Sequence, residues 1–446
     1  MNRIKNYTFC LLFFLSFLTG STVYAQFAPA SLVDSSTNQI TNILSVDLNQ
    51  DSLNDLLVTR KFTANSLISF YLNQGGLSFG PETVIATGSS QVTNIAVADF
   101  DNNNWPDVVS IGDANNAVTV YLNNSMNFTA QPLDTFTFFE SDIAVLDVDN
   151  DSDLDFVAIG GTTFKVFNNN GSANFNKQVV TTPLSDFFDI TTGDIDADGF
   201  DDVITGGSNI SFYKNNNGSL QFDSARTAQI PSSFNLFVRL VDLDQDGDLD
   251  LFSEGNNSSG ARWLENDGNG NFSNSHLIDA SVNNIRSAAL DDFDQDGDLD
   301  LILIKNFDLY LYTNIGQGSF STPLLIQDTT TTISCVSATD LNKDNQIDLI
   351  WSADLSVQEN NLALFVKPKT IFDELFKVYP NPTNERLFIE IPEAGTLRVS
   401  NAMGQLVDQR SLIKGKNLLK LNLKPQLYFF TMDFESKSLV KKVIIK

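Results

Sequence analysis

The chain reads as all-β: a seven-bladed β-propeller over residues 26–370, followed by a small β-sandwich over 371–446. Three observations predict this. An acidic nonapeptide recurs seven times at near-constant spacing. Each copy is flanked by apolar runs rich in β-branched and aromatic residues. No segment sustains a helical period.

Residues 1–25 have the order of an export signal. Arg3 and Lys5 give a positive start, Phe9 to Leu18 is apolar, and Val23-Tyr24-Ala25 offers a cleavage site before Gln26. The apolar run is too short to cross a bilayer, and no other stretch approaches the ~20 apolar residues a spanning helix needs. The mature chain is therefore expected to have no transmembrane segment. Loss of the leader removes Cys10 and leaves Cys335 as the only cysteine, so no intrachain disulfide is expected. Its neighbours, ISCVSA, suggest a buried strand thiol.

The nonapeptides begin at Asp47 (DLNQDSLND), Asp99 (DFDNNNWPD), Asp147 (DVDNDSDLD), Asp194 (DIDADGFDD), Asp242 (DLDQDGDLD), Asp292 (DFDQDGDLD) and Asp340 (DLNKDNQID). Successive starts are 52, 48, 47, 48, 50 and 48 residues apart. One apolar run enters each loop, such as NIAVADF, and another leaves it, such as DVVSIG. A third ends in an aromatic and Asn turn, as in VYLNNSMNF and FYKNNNGSLQF. A Phe-led segment that turns apolar completes the unit. Four strands per unit of this period is a propeller blade. The Phe-led segment occurs at Phe27, Phe79, Phe128, Phe175, Phe222, Phe272 and Phe320; the first precedes the first loop and none follows the last. The stretch from Phe27 is thus expected to supply the outer strand of the last blade, which removes an open edge. An open solenoid would need atypical capping repeats, and none is visible.

Each nonapeptide places Asp or Asn at positions 1, 3 and 5 and Asp at position 9. The candidate metal ligands are Asp47, Asn49, Asp51 and Asp55; Asp99, Asp101, Asn103 and Asp107; Asp147, Asp149, Asp151 and Asp155; Asp194, Asp196, Asp198 and Asp202; Asp242, Asp244, Asp246 and Asp250; Asp292, Asp294, Asp296 and Asp300; Asp340, Asn342, Asp344 and Asp348. Oxygen ligands on alternate residues of a tight loop suit a hard cation, and a backbone carbonyl at position 7 plus a water would complete a calcium-like shell. Two carboxylates ~4 Å apart repel by roughly 4 kcal/mol at an effective dielectric of 20, so a loop holding three or four needs a counterion. Up to seven structural Ca²⁺ are expected. Position 12 is Val58, Ser110, Ala158, Thr205, Ser253, Leu303 and Trp351, which excludes a helix-flanked loop closed by a Glu there. Loops beginning at Asp147, Asp194, Asp242 and Asp292 are richest in carboxylate; the Asp340 loop, with Asn342 and Lys343, ranks weakest.

The net charge of −28 is uneven: residues 26–370 hold 47 acidic and 13 basic side chains, and residues 371–446 hold 8 and 12. The reversal marks a domain boundary. Of the 55 acidic residues, 29 lie inside the nonapeptides, too concentrated for solubility alone. Such a surface repels phosphates, so no nucleic acid partner is expected.

The units resemble the FG-GAP/VCBS repeats of integrin-like propellers. The YLNN…F turns, the D-x-D-x-D-G-x-x-D loops and the apolar runs carry the resemblance. It implies calcium in blade hairpins and a surface used for recognition. Gly stands at loop position 6 only in Gly199, Gly247 and Gly297; Ser52, Asn104, Ser152 and Asn345 depart from the family turn. The C-terminal segment, with YPNPTN, the Asn401-to-Gln405 turn and the terminal KKVIIK, resembles the type A sorting domain of type IX secretion in Bacteroidetes. That implies a partner in the type IX machinery, outer-membrane passage, removal of the domain, and release or attachment at the cell surface.

Catalysis is not expected. The one histidine, His276, reads as structural, and no G-x-S-x-G elbow, P-loop or dinucleotide fingerprint occurs. Trp105, Trp263 and Trp351 form no visible platform, the latter two reading as strand residues. The insertion RKFTANS reads as loop variation. Two functions stand: a secreted calcium-stabilised recognition or adhesion protein for a glycan or protein ligand, and a carbohydrate-active enzyme (hydrolase or lyase) on a propeller scaffold; an inert matrix protein with no specific ligand is a third option. The second requires two convergent carboxylates outside the loops.

Overall fold

The computed structural model describes residues 27–35, 39–62, 65–88, 92–113, 117–136, 141–180, 187–207, 209–223, 237–255, 260–282, 285, 287–328, 332–361, 377–379, 386–391, 394–401, 406–421, 423–424, 426–433 and 438–445. The expected leader and its cleavage site lie outside these residues, as do most of the YPNPTN segment and the turn after Asn401. Every regular element among them is a β-strand. Residues Ala25–Leu362 form one compact unit and Ala363–Lys446 belong to another, a division a little before the charge reversal.

The first unit contains seven four-stranded antiparallel sheets among the described residues. Six are consecutive meanders, spanning 39–88, 94–135, 141–180, 187–223, 238–279 and 288–327. The seventh combines Val336–Thr339, Asp348–Trp351 and Leu355–Gln358 with the N-terminal strand Ser31–Asp34, which pairs with Leu355–Gln358. Burial explains the layering. Second strands are buried along their length, as Asp155–Gly160 is, because neighbouring sheets cover both faces. Outer strands such as Asn176–Val180 are mostly exposed.

Packing between adjacent sheets accounts for the abundance of Phe. Phe156 stacks on Phe167 at 4.5 Å and meets Phe100 of the preceding sheet edge-on at 5.7 Å. Position 2 of every loop (Leu48, Phe100, Val148, Ile195, Leu243, Phe293 and Leu341) is buried. One apolar cluster joins Ile40, Val58 and Tyr71 of the first sheet to Leu341, Ile350 and Val357 of the last, so the sheets close on themselves.

The N-terminal strand is fixed at both ends. Phe27 bridges Asn360 and packs against Phe293 at 6.2 Å. Asp34 receives Arg60 Nη2 at 2.7 Å and the Tyr71 hydroxyl at 2.5 Å, and Arg60 Nε also meets Glu82 at 3.0 Å. Arg60 is therefore no loop variation. It is a buried cation at the end of strand Asp55–Lys61, and its side chain ties the last sheet to the first.

In the C-terminal unit, Lys377–Tyr379, Arg386–Ile391 and Gly415–Lys420 form one sheet. Gly395–Asn401, Leu406–Leu412, Gln426–Asp433 and Ser438–Ile445 form a second. A single cluster including Leu387, Ile389, Leu397, Val399, Phe430 and Met432 lies between the two sheets. Period-2 alternation, as in Arg386–Ile391, gives each one apolar face.

Candidate metal loops and the clasps that hold them

All seven nonapeptides fold the same way between the first and second strands of a sheet. The position-1 carboxylate accepts the N–H of position 6, and in six loops that of position 5 as well. Asp292, for example, accepts from Asp296 at 3.0 Å and Gly297 at 2.9 Å. The position-5 oxygen accepts the N–H of position 7, as Asp296 does from Asp298 at 3.1 Å. These Asx-type bonds wind the loop tightly and place positions 4 and 6 in the left-handed region. Position 6 adopts it with or without glycine: φ is 89° at Gly199 and 102° at Gly247, and 70° at Ser52, 67° at Asn104, 74° at Ser152 and 64° at Asn345. The four departures from the family turn therefore keep its geometry, against a strain of about 1–2 kcal/mol per residue.

Position 9 has a second role that spacing did not reveal. Asp55, Asp107, Asp155, Asp202, Asp250, Asp300 and Asp348 are fully buried. One oxygen of each accepts the N–H of an Asn at the end of the third strand, at 2.6–2.9 Å. In six of them the other oxygen accepts the position-2 N–H at 2.9–3.1 Å. Burial pushes Asp55, Asp107 and Asp155 up to about 6, and Asp250, Asp300 and Asp348 up to about 7, against the downward pull of these donors.

The third-strand asparagine completes a clasp between sheets. Asn73, Asn123, Asn169, Asn215, Asn266, Asn314 and Asn360 each donate Nδ2 to the position-2 carbonyl of the preceding loop, at 2.7–3.2 Å. Asn73 reaches Leu341 of the last loop, so the clasps run unbroken around the ring. The sequence showed these residues only as turn formers.

Carboxylate oxygens of three residues lie within 4.8 Å of one another in five loops: Asp99, Asp101 and Asp107; Asp147, Asp149 and Asp155; Asp194, Asp196 and Asp198; Asp242, Asp244 and Asp246; Asp292, Asp294 and Asp300. The first and seventh loops, with Asn49 and Asn342 at position 3, form no such triad among the described residues. At two of these loops buried oxygens have no donor among the described residues: Asp149 Oδ1 and Asn168 Oδ1 at the third, and Asp242 Oδ1 at the fifth. Burial, then the neighbouring Asp151, raises the Asp149 pKa; burial, then Asp246, does the same at Asp244.

The residue just before the clasp asparagine varies (Leu72, Leu122, Asn168, Lys214, Glu265, Thr313 and Glu359), and in four loops it is polar and acts on the loop. Asn168 Nδ2 donates to Asp149 at 3.3 Å. Glu265 adds negative charge near Asp244. Glu359 accepts from Asn342 Nδ2 at 3.4 Å and so returns a carboxylate to the seventh loop. Lys214 does the opposite, its ammonium binding Asp196 and, at 2.8 Å, Asp198.

Elsewhere, Cys335 is buried directly before strand Val336–Thr339, and burial pushes its thiol up to about 11. Trp263 and Trp351 are buried strand residues. His276 stacks on Trp263 with ring centroids 4.3 Å apart.

These sheets, loops and clasps define a β-propeller built from acidic-loop repeats. The FG-GAP-like repeat family model matches residues 47–110, 99–158, 147–205, 242–303 and 292–351, more than half of the chain, and the chain belongs to that family. The secretion-system C-terminal sorting domain matches residues 377–446, which marks the protein for type IX export to the cell surface or the extracellular space. No curated protein matches the chain. Among solved structures, an Agrocybe aegerita lectin described in recognition of non-reducing terminal N-acetylglucosamine is 20% identical with a TM-score of 0.50, over 65% of this chain and 81% of that one. BBS1N in complex with ARL6DN is 13% identical with a TM-score of 0.53, over 78% of this chain and 99% of that one. At these identities the likeness is one of fold alone. No helix among the described residues is long and apolar enough to cross a membrane.

Proposed function

We propose that the protein is an exported seven-bladed propeller whose acidic loops hold structural calcium and whose ring serves as a recognition or adhesion module for a glycan or protein ligand. The carrying observation is the set of five carboxylate triads at strand–loop–strand hairpins, two of which hold a buried oxygen with no donor among the described residues. Positions 1, 3 and 5 would hold the ion and position 9 would back them, while its own two oxygens keep the joint between sheets. The ion would supply the positive charge that lets these carboxylates share one turn.

The loops are not equal on this reading. Lys214 already supplies a cation to the fourth, so calcium there competes with an ammonium tethered to the fold. Glu359 compensates for Asn342 in the seventh. The ranking from composition alone therefore shifts: the fourth loop drops and the seventh rises.

The test is elemental analysis and calorimetry of the purified protein. Several calcium ions per chain are expected, and excess chelator should lower the melting temperature markedly, because each site filled at ~100 times its dissociation constant adds roughly 2.7 kcal/mol. Metal-free protein in millimolar calcium with an unchanged melt overturns the reading.

The competing enzyme reading needs two convergent carboxylates outside the loops. Asp142 and Asp189 do meet, but they hydrogen-bond each other, closer than the ~5–9.5 Å that glycoside hydrolysis employs, and Arg239 binds Asp189. This favours recognition over turnover.

A further inference from the structure

The first strands of five sheets line an open cavity of about 590 Å³, with Asn42, Asn94, Asp142, Thr191, Thr192 and Arg239 among the lining residues. A second of about 220 Å³ shares Asn42, Asn94, Asp142 and Arg239. The combined space is of the size small-molecule sites use. One feature sets it apart from the rest of the ring. Five residues before each acidic loop stand Asn42, Asn94, Asp142, Asp189, Phe237, Ser287 and Cys335. The loops themselves begin and end on Asp in all seven copies, whereas this position carries five different residue types. Equivalent backbone with divergent side chains around one shared cavity is where a repeat scaffold acquires an asymmetric site.

The polar residues are linked in order. Asn42 Nδ2 donates to Asn94 Oδ1, and Asn94 Nδ2 donates to Asp142 Oδ1. Asp142 shares a hydrogen bond with Asp189 and accepts the Ile190 N–H at 3.0 Å. Asp189 accepts the Val238 N–H at 2.7 Å and both of its oxygens receive Arg239 Nη1, at 3.0 and 2.9 Å. The guanidinium lies 4.2 Å from the Phe237 ring centroid, a stacked platform. Asp189 is 9% exposed, yet 39% of the Arg239 side chain is open, and the opening is the cavity. Nε and Nη2 of Arg239 and Oδ1 of Asn42 have no partner among the described residues, so donors and an acceptor face the same space.

The charges select the ligand. Asp189 offsets Arg239. Burial, then Asp189, holds the Asp142 carboxyl well above its usual range, and the Asp189–Arg239 ion pair leaves little net charge for a ligand to meet. The surrounding unit is strongly acidic and repels anions. Asp142 has both oxygens occupied and offers little to a cation. What remains is a set of planar hydrogen-bonding groups over an aromatic ring.

We propose that this central cavity binds a neutral, hydroxyl-rich molecule of mono- or disaccharide size, with Arg239 and Asn42 as its principal polar contacts. The proposal rests on the recognition reading and gives it a site separate from the calcium loops.

The test uses the full chain with calcium, titrated with glucose, galactose, mannose, N-acetylglucosamine, lactose and cellobiose, and with glucuronic acid as the anionic control. At least one neutral sugar should bind, glucuronic acid should not bind better, and Arg239→Gln should weaken binding about tenfold or more, the worth of one charge-assisted hydrogen bond. Because Arg239→Gln also leaves Asp189 unpaired, Thr192→Phe serves as the second variant: it narrows the cavity and leaves the linked side chains intact. Sugar binding unchanged in a folded Thr192→Phe protein overturns the cavity and leaves recognition elsewhere on the ring standing. Failure of every neutral sugar overturns the cavity together with the glycan half of the recognition reading, while a protein ligand stays testable by capture. Preference for glucuronic acid overturns the ligand class.

Discussion

Two belts of side chains run around the same ring, and they have opposite habits. The outer belt, Asp at loop position 9 with the clasp asparagine, is identical in all seven copies. The inner belt, from Asn42 through Asp189 to Cys335, carries five residue types in seven copies. The difference follows from what each must satisfy. At the outer belt, buried backbone N–H groups and a buried carbonyl need partners at every joint, and an unmet one costs about 1–3 kcal/mol. An acidic acceptor and an amide donor solve this in one way. The inner belt borders a cavity, where water can satisfy a polar group, so residues there can be replaced. Uniformity reports on scaffold and divergence on use.

Four experiments break or sharpen this contrast, ordered by expected effect. The largest is pH dependence in chelator, because six buried carboxylates act together. Their folded pKa values, about 6 for Asp55, Asp107 and Asp155 and about 7 for Asp250, Asp300 and Asp348, lie above the unfolded value of 3.8. The folded state thus binds more protons, so stability is highest below the unfolded pKa and falls as pH rises through 6 to 7. Thermal melts in chelator should drop across that window, and calcium should reverse the trend by opposing the charge. A chelator melt that rises with pH would contradict the outer belt as described.

Next comes Asp250→Ala, which strips the acceptor from the N–H groups of Leu243 and Asn266. A loss of roughly 2–6 kcal/mol in urea unfolding is expected from two unmet donors. A loss below about 1 kcal/mol would mean the clasps are ornamental. Lys214→Gln should act in the other direction. Removing the tethered ammonium should add one bound calcium per chain by elemental analysis and stabilise the calcium-loaded protein by up to about 2.7 kcal/mol. An unchanged count sinks the idea that Lys214 stands in for the ion. The smallest effect belongs to the inner belt. Ser287→Ala deletes the 3.1 Å bonds to the Val336 N–H and carbonyl, and water in the cavity should limit the cost to about 1 kcal/mol.

The repeat made much of the fold readable. Seven acidic loops in register, with β-rich flanks and a Phe-led segment ahead of the first, implied the sheets and the N-terminal strand in the last of them. Position 6 was harder, because Ser and Asn in four loops looked like departures; the Asx-type bonds from position 1 impose the left-handed turn whatever the residue. The double role of position 9 was hidden, since spacing cannot distinguish a ligand from a backbone acceptor. Asn73 and its counterparts were visible but unread, because their acceptors lie in a different repeat. Lys214 and Glu359 had a signal: each stands immediately before a clasp asparagine. The link from Asp142 through Asp189 to Arg239 had none, because neighbours around a ring lie about one repeat apart in sequence.

The strand Ser31–Asp34 adds a constraint on how the molecule comes into being. The earliest part of the unit to leave the ribosome can find its place only against Leu355–Gln358, near the unit's other end. Until then the final sheet offers an unfilled groove, and Arg60 and Tyr71 await Asp34. Maturation therefore finishes with a meeting of head and tail, and a nascent chain stalled short of its final repeat would stay an incomplete circle.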